Sequence, residues 1–205
     1  MEKFYFELPS LKRKDEALEY LKEHVDNGSK INGSGGLNRC KNKMSYEEWI
    51  DDVTKTMDKN YAENMGLVPA TTFFTIREND NKIIGMINFR HYLNDELYRA
   101  GGHIGYGIRP LERGKGYAKI QLYMSLLEAE KLGLDNVMVD CETTNEPSDR
   151  TIKALGGVLD RVEYDEEYGR KLNVYWIDVK ESLSKYKDRY LKYVDLEKCD
   201  SIINK

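Results

Sequence analysis

The stretch Gly105–Lys119, GYGIRPLERGKGYAK, begins as a β-strand, breaks at Pro110, and then places Arg113, Gly114, Lys115 and Gly116 ahead of a long helical pattern. A helix starts with backbone N–H groups that have no partner, and it carries about half a positive charge at that end. Glycines let the chain turn so that several N–H groups face one anion at close range. Arg113 and Lys115 strengthen that field. The pattern predicts a phosphate or pyrophosphate site where strand gives way to helix, against the plainer reading of a tight turn with solvated cations. It is not a Walker A loop, since no Gly-Lys-Ser/Thr follows at the required spacing, nor the Gly-x-Gly-x-x-Gly dinucleotide fingerprint.

Working outward, KFYFELPS reads as a short strand ended by Pro9, and SLKRKDEALEYLKEHVDNG as a helix with Leu11, Leu18, Leu21 and Val25 on one face and Gly28 as its stop. NGSKINGSGGLNRCKNKMS is a polar, glycine-rich loop. SYEEWIDDVTKTM is a helix opened by a Ser45–Glu48 capping box. ATTFFTIREND and NKIIGMINFRHYL form a meander, GGHIGYGIRP a further strand, and KGYAKIQLYMSLLEAEKLG the clearest helix. NVMVDCE has a buried-strand pattern, NEPSDRTIKALGG is a helix with Asn145 or Ser148 at its cap, and VLDRVEYDEEYGRKLNVYWIDV closes the domain as a hairpin. The order is mixed α/β. Residues 1–180 are expected to form one domain, with 181–205 a helical extension that packs on its own domain or on a second copy in a homodimer.

At 205 residues the chain can bury a core of sheet and helices without staples. Its net charge of −4 gives no general attraction to nucleic acid or to anionic membranes, so any anion site must be local. Three scattered cysteines without a Cys-x-x-Cys pair argue against a disulfide framework or a zinc site, and no metal is expected. With no signal-peptide pattern and no apolar run of spanning length, the expected location is cytoplasmic.

RGKGYA fits the Arg/Gln-x-x-Gly-x-Gly/Ala motif of the GNAT superfamily of N-acetyltransferases, with Arg113, Gly116 and Ala118 at the defining positions. From about Thr71 to Val179 the chain resembles a bacterial branch of predicted acetyltransferases. The resemblance implies a mixed, mostly antiparallel twisted sheet flanked by helices and splayed between its central parallel strands. It implies acetyl-CoA as co-substrate, with the pyrophosphate on the amides of Arg113, Gly114, Lys115, Gly116, Tyr117 and Ala118. The pantetheine arm would lie beside Ile108 and Arg109, in a slot opened by a β-bulge that Gly105 and Gly107 suit. The Ile108 N–H would stabilise the oxyanion, and Asn145 and Ser148 would contact the cofactor or cap their helix. The acceptor would be a primary amine, on a small molecule or a peptide or protein N-terminus, attacking directly in a ternary complex.

Such an amine must lose a proton. Asp140, five residues before Asn145, matches the position where ribosomal-protein alanine acetyltransferases carry a glutamate base, and Glu142 would share its face on a straight strand. Both could instead be solvated strand-end acids. The family's acid, a tyrosine seven residues after the asparagine, is replaced by Ile152. That leaves Tyr106, Tyr164 and Tyr168 as candidate donors, His91 and His103 as candidate bases, and Cys141 as either a ping-pong nucleophile or a core residue. The Ile152 departure also motivates a second reading, a non-catalytic acyl-CoA-binding or sensing module. Acceptor choice is assigned to the N-terminal helices and the NGSKINGSGGLNRC loop, where an acidic rim would suit a polyamine, an aminoglycoside or a peptide N-terminus.

Overall fold

In the computed structural model, which describes residues 1–166 and 168–202, the alternating apolar segments form two antiparallel sheets. The first contains β1 (Phe4–Glu7), β2 (Ala70–Arg77), β3 (Lys82–Arg90) and β4 (Ile104–Ile108), in that order. The second contains β5 (Asn136–Glu142), β6 (Val158–Asp165) and β7 (Arg170–Asp178), ordered β5-β7-β6. Neighbouring residues of one strand face opposite ways, and Phe73 and Phe74 accordingly join two different cores. One core lies under α1 (Lys14–Asp26) and α2 (Tyr46–Lys55), where Tyr20, Tyr46 and Trp49 meet Phe74, Ile83 and Met86. The predicted capping box starts α2, with Glu48 N–H donating to Ser45 Oγ at 3.2 Å and Ser45 N–H to Glu48 Oε2 at 2.6 Å. Two short helices, α3 (Lys59–Asn64) and α4 (Asp95–Arg99), escaped the sequence reading because so few residues show no period. The second core lies under α5 (Tyr117–Lys131), α6 (Glu146–Lys153) and α7 (Val179–Tyr190). Among the described residues no helix is long and apolar enough to cross a membrane.

α5 carries the chain from β4 to β5, and the two strands meet at their near ends. There His103 N–H donates to Met138 O at 2.8 Å, and Met138 N–H donates to His103 Nδ1 at 2.9 Å. Beyond that rivet β4 pairs with β3 and β5 with β7, so the sheets part. No bulge is needed, which corrects one expectation. β4 keeps an unbroken register against β3 from Ile104 to Ile108, and the register shifts fall at Thr75/Ile76 and Leu159/Arg161 instead. Gly105 and Gly107 serve a close approach. A Cβ on Gly107 would stand 2.8 Å from Asn32 O, and one on Gly33 would stand 2.5 Å from Gly105 O. The long polar loop thus lies flush on the face of β4.

Arg109 also departs from its expected role beside the cofactor. Its backbone N–H donates to Ile84 O at 2.8 Å, and its side chain is wholly buried against α1. Nε donates to Glu23 at 2.6 Å, one Nη to Glu19 at 2.8 Å and the other to the Ile83 carbonyl at 3.2 Å. The residue pins α1 to the end of β4. Arg109→Met strands the half of this network that is out of water, so it is expected to cost about 3 kcal/mol. The urea midpoint should fall with an unchanged slope.

The segment after α7 returns to the first strand. Asp195 N–H donates to Phe4 O at 2.9 Å, Asp200 N–H to Phe6 O at 2.7 Å, and Leu8 N–H to Asp200 Oδ2 at 2.7 Å. The Ser201 hydroxyl and Ile202 N–H both donate to Glu128 at 2.9 Å, beside Lys131 Nζ at 2.6 Å, which satisfies a carboxylate buried in α5. The helix predicted beyond Val179 is α7, and it packs on α5 of its own chain.

Candidate active site

A cleft of about 900 Å³ opens where β4 and β5 part. The ladder decides which backbone groups face it. Arg90 N–H donates to His103 O and Arg109 N–H to Ile84 O, so alternate residues along β4 and the residue on either side of it, from His103 to Arg109, bond toward β3. Ile104, Tyr106 and Ile108 therefore direct N–H and C=O toward the cleft. The Ile108 carbonyl is taken by Arg113 Nε at 3.0 Å, and its amide is left facing the gap.

The glycine-basic turn forms the end of the cleft. Gly114 and Gly116 have φ of 80° and 87°, the left-handed region that other residues resist. Among the described residues, the amides of Gly114, Lys115, Gly116, Tyr117 and Ala118 have no protein acceptor, whereas the Arg113 amide bonds to Pro110 O at 3.3 Å. The two cations are held by neighbours. Lys115 Nζ bonds Glu112 at 2.7 Å, and Arg113 reaches Ser29 Oγ at 2.6 Å. Across the turn, Asn145 caps α6 by accepting from Ser148 N–H at 3.3 Å, and Ser148 Oγ lies 2.6 Å from the Tyr106 hydroxyl. All three residues line the cleft.

The two acids on β5 also line it, in different states. Burial pushes the Asp140 carboxyl up from its ordinary range, against one hydrogen bond accepted from Gly101 N–H. Glu142 is held below its range by Lys30 at 2.5 Å and Arg170 at 3.3 Å. One acid is desolvated; the other is neutralised.

A family model for the acetyltransferase (GNAT) domain matches residues 10–158, well over half of the chain. The chain belongs to the GNAT acetyltransferase family. Members carry out acetyl-CoA-dependent acetylation. Solved GNAT structures share the fold at low identity. The ribosomal-protein-S5-alanine acetyltransferase from Vibrio fischeri is 17% identical with a TM-score of 0.64, over 88% of this chain and 96% of that one. The microcin C7 self-immunity acetyltransferase MccE, solved with acetyl-CoA and AMP, is 18% identical with a TM-score of 0.61, over 86% and 92%. The spermidine/spermine N-acetyltransferase SpeG from Vibrio cholerae is 14% identical with a TM-score of 0.61, over 89% and 98%. Among curated proteins nothing matches.

Ile152, which stands where the family carries its tyrosine, is fully buried in the core. Tyr164 and Tyr168 are exposed on the β6–β7 hairpin, outside the cleft lining. Tyr106 lies in the cleft, and burial raises its pKa so that the phenol stays protonated. Burial pushes the Cys141 thiol up to about 11, which leaves it a poor nucleophile. Neither histidine proposed as a base is free in the cleft. His91 Nε2 bonds Thr71 Oγ1 at 2.9 Å, and His103 Nδ1 is the acceptor that joins β4 to β5. Sequence reading missed Lys30, Arg90 and Arg170, each a lone cation with no motif, brought to the cleft by sheet pairing and the polar loop.

Proposed function

We propose that this GNAT protein is an acetyl-CoA:amine N-acetyltransferase in which the amine attacks directly within a ternary complex. The observation that carries this reading is the row of unpartnered amides from Gly114 to Ala118, opening onto the same cleft as Asp140. Such amides fit a diphosphate, and the β4 edge at Tyr106 and Ile108 fits an extended amide chain beside it. Asn145 and Ser148 border the same wall. Acetyl-CoA supplies an acyl group already activated as a thioester.

The chain's own residues then have separate tasks. The Ile108 N–H is the donor for negative charge developing on a carbonyl oxygen. Asp140 is the base: a lysine-type amine, with pKa ~10.4, costs about 4–5 kcal/mol to deprotonate at pH 7, and a desolvated carboxylate is a stronger proton acceptor than a solvated one. The Tyr106–Ser148 hydroxyl pair holds a proton for the leaving sulfur, in place of the tyrosine that Ile152 replaces. Three free cysteines fit a reducing compartment such as the cytoplasm.

Calorimetric titration with acetyl-CoA, followed by thiol release in the presence of primary amines, tests the reading. Saturable binding and amine-dependent release are expected. No heat at millimolar acetyl-CoA overturns it, and binding without turnover on any amine would make the protein an acyl-CoA sensor.

A further inference from the structure

The charged groups around the acceptor side of the cleft do not cancel evenly. Arg170 is held by Asp165 at 2.8 Å and Glu142 at 3.3 Å, and Lys30 by Glu142 at 2.5 Å. Those four groups satisfy one another. Arg90 and Asp140 are left over. Among the described residues, Arg90 makes no ion pair. One nitrogen of its guanidinium, Nη1, donates to the Gly101 and Gly102 carbonyls at 3.0 and 3.4 Å, and its remaining donors are unused among the described residues. Asp140 is the acid whose charge reaches it, without a direct contact. Both groups line the cleft, and both hang on the same residue: Arg90 on the Gly101 carbonyl, Asp140 on the Gly101 N–H.

From this pairing we infer that the acceptor is an amino acid or a similar aminocarboxylate, with its carboxylate on Arg90 and its amine toward Asp140. A guanidinium deep in a cleft with unused donors calls for a planar anion, which it grips through two parallel N–H bonds. Gly105 makes the room. A Cβ there would stand 3.3 Å from Arg90 Nη1, so the bare backbone lets the guanidinium lie over β4. A polyamine finds the opposite arrangement. Its second cation would meet Arg90, while Glu142 and Asp165 are already engaged. The acidic rim expected from sequence is therefore neutralised where it borders the cleft. The inference rests on the proposed amine acetylation. The acceptor's ammonium gives one proton to Asp140 before attack; as the nitrogen bonds the acyl carbon and the carbon–sulfur bond breaks, the nitrogen sheds a second proton, which replaces the one that the Tyr106–Ser148 pair gives to the leaving sulfur.

The test uses the full chain with acetyl-CoA, a panel of free α-amino acids, the carboxamide of each, and spermidine. The best free amino acid is expected to exceed its own carboxamide in kcat/KM by about ten-fold or more, and to exceed spermidine. Arg90→Gln should collapse the acid-to-amide ratio toward one, and Arg90→Lys should restore part of it. A merely structural role would lower both acceptors together and leave the ratio in place. Calorimetric binding of the best amino acid to the CoA-loaded protein gives a readout free of turnover, and Arg90→Gln should weaken it about ten-fold. The inference fails if amides or spermidine are preferred, or if the ratio survives Arg90→Gln. Turnover of amides alone sinks this inference and leaves the amine acetyltransferase standing. Absence of acetyl-CoA binding would remove both.

Discussion

Asp140→Asn is expected to lower kcat/KM for the amine by about 10²–10⁴-fold, the usual contribution of a positioned general base. The asparagine keeps an oxygen to accept from Gly101 N–H, so the turn that also anchors Arg90 should stay in place. The pH profile gives the sign. Burial raises the Asp140 pKa, so activity should fall off on the acid side at a higher pH than an ordinary aspartate near ~3.9 would give. That limb should vanish in the variant. Glu142→Gln is the control, because its carboxylate already serves Lys30 and Arg170. A profile unchanged in Asp140→Asn but abolished in Glu142→Gln would exchange the two assignments.

The second large effect is on stability in mild acid. His24 and His103 are both buried, and burial lowers each pKa from 6.5 to about 4. The unfolded chain takes up protons that the folded one refuses. The contribution of each ring is therefore fully present above pH 6.5 and lost as pH falls toward 4. The whole shift is worth about 3 kcal/mol per histidine, and roughly 2 kcal/mol of each should be gone by pH 5, before ordinary carboxylates titrate. The geometry supplies the cause. Protonating His103 Nδ1 removes the acceptor of Met138 N–H, and His24 Nδ1, 3.1 Å from Lys30 O, belongs to a ring whose other nitrogen has no partner among the described residues. Urea midpoints at pH 7.5 and pH 5 measure the loss. His103→Asn, which keeps an acceptor but cannot titrate, should remove about half of it. A flat dependence in the wild type would contradict the burial of both rings.

These effects show where sequence reading reached and where it stopped. The turn from Arg113 to Ala118 was legible because glycine at left-handed φ, a preceding strand and a following helix are all local properties. The meander, the closing hairpin and the Ser45 cap were legible for the same reason. Asp140 and Glu142 were visible as a pair, but their difference was not. It depends on Lys30 and Arg170, which are 112 and 28 residues away from Glu142 in the chain. Gly105 and Gly107 were given a bulge where the structure has a close approach, because the approaching Asn32 and Gly33 belong to a loop with no pattern to place it. Arg109 was placed beside the cofactor by the family resemblance, yet its backbone N–H bonds Ile84 O and its side chain is held by Glu19 and Glu23. Charge partners across the fold were the common omission.

The return of residues 194–202 to β1 sets a schedule on how the molecule is made. The contact between Phe6 and Cys199 joins positions 193 residues apart, so the first strand leaves the ribosome long before its outer neighbour exists. At ~5–20 residues per second, that interval lasts on the order of ten seconds or more. Through that time β1 offers bare N–H and C=O groups to any extended chain nearby. Nascent copies on one message are the most exposed to wrong pairing, and slower translation of the closing segment should lengthen the risk.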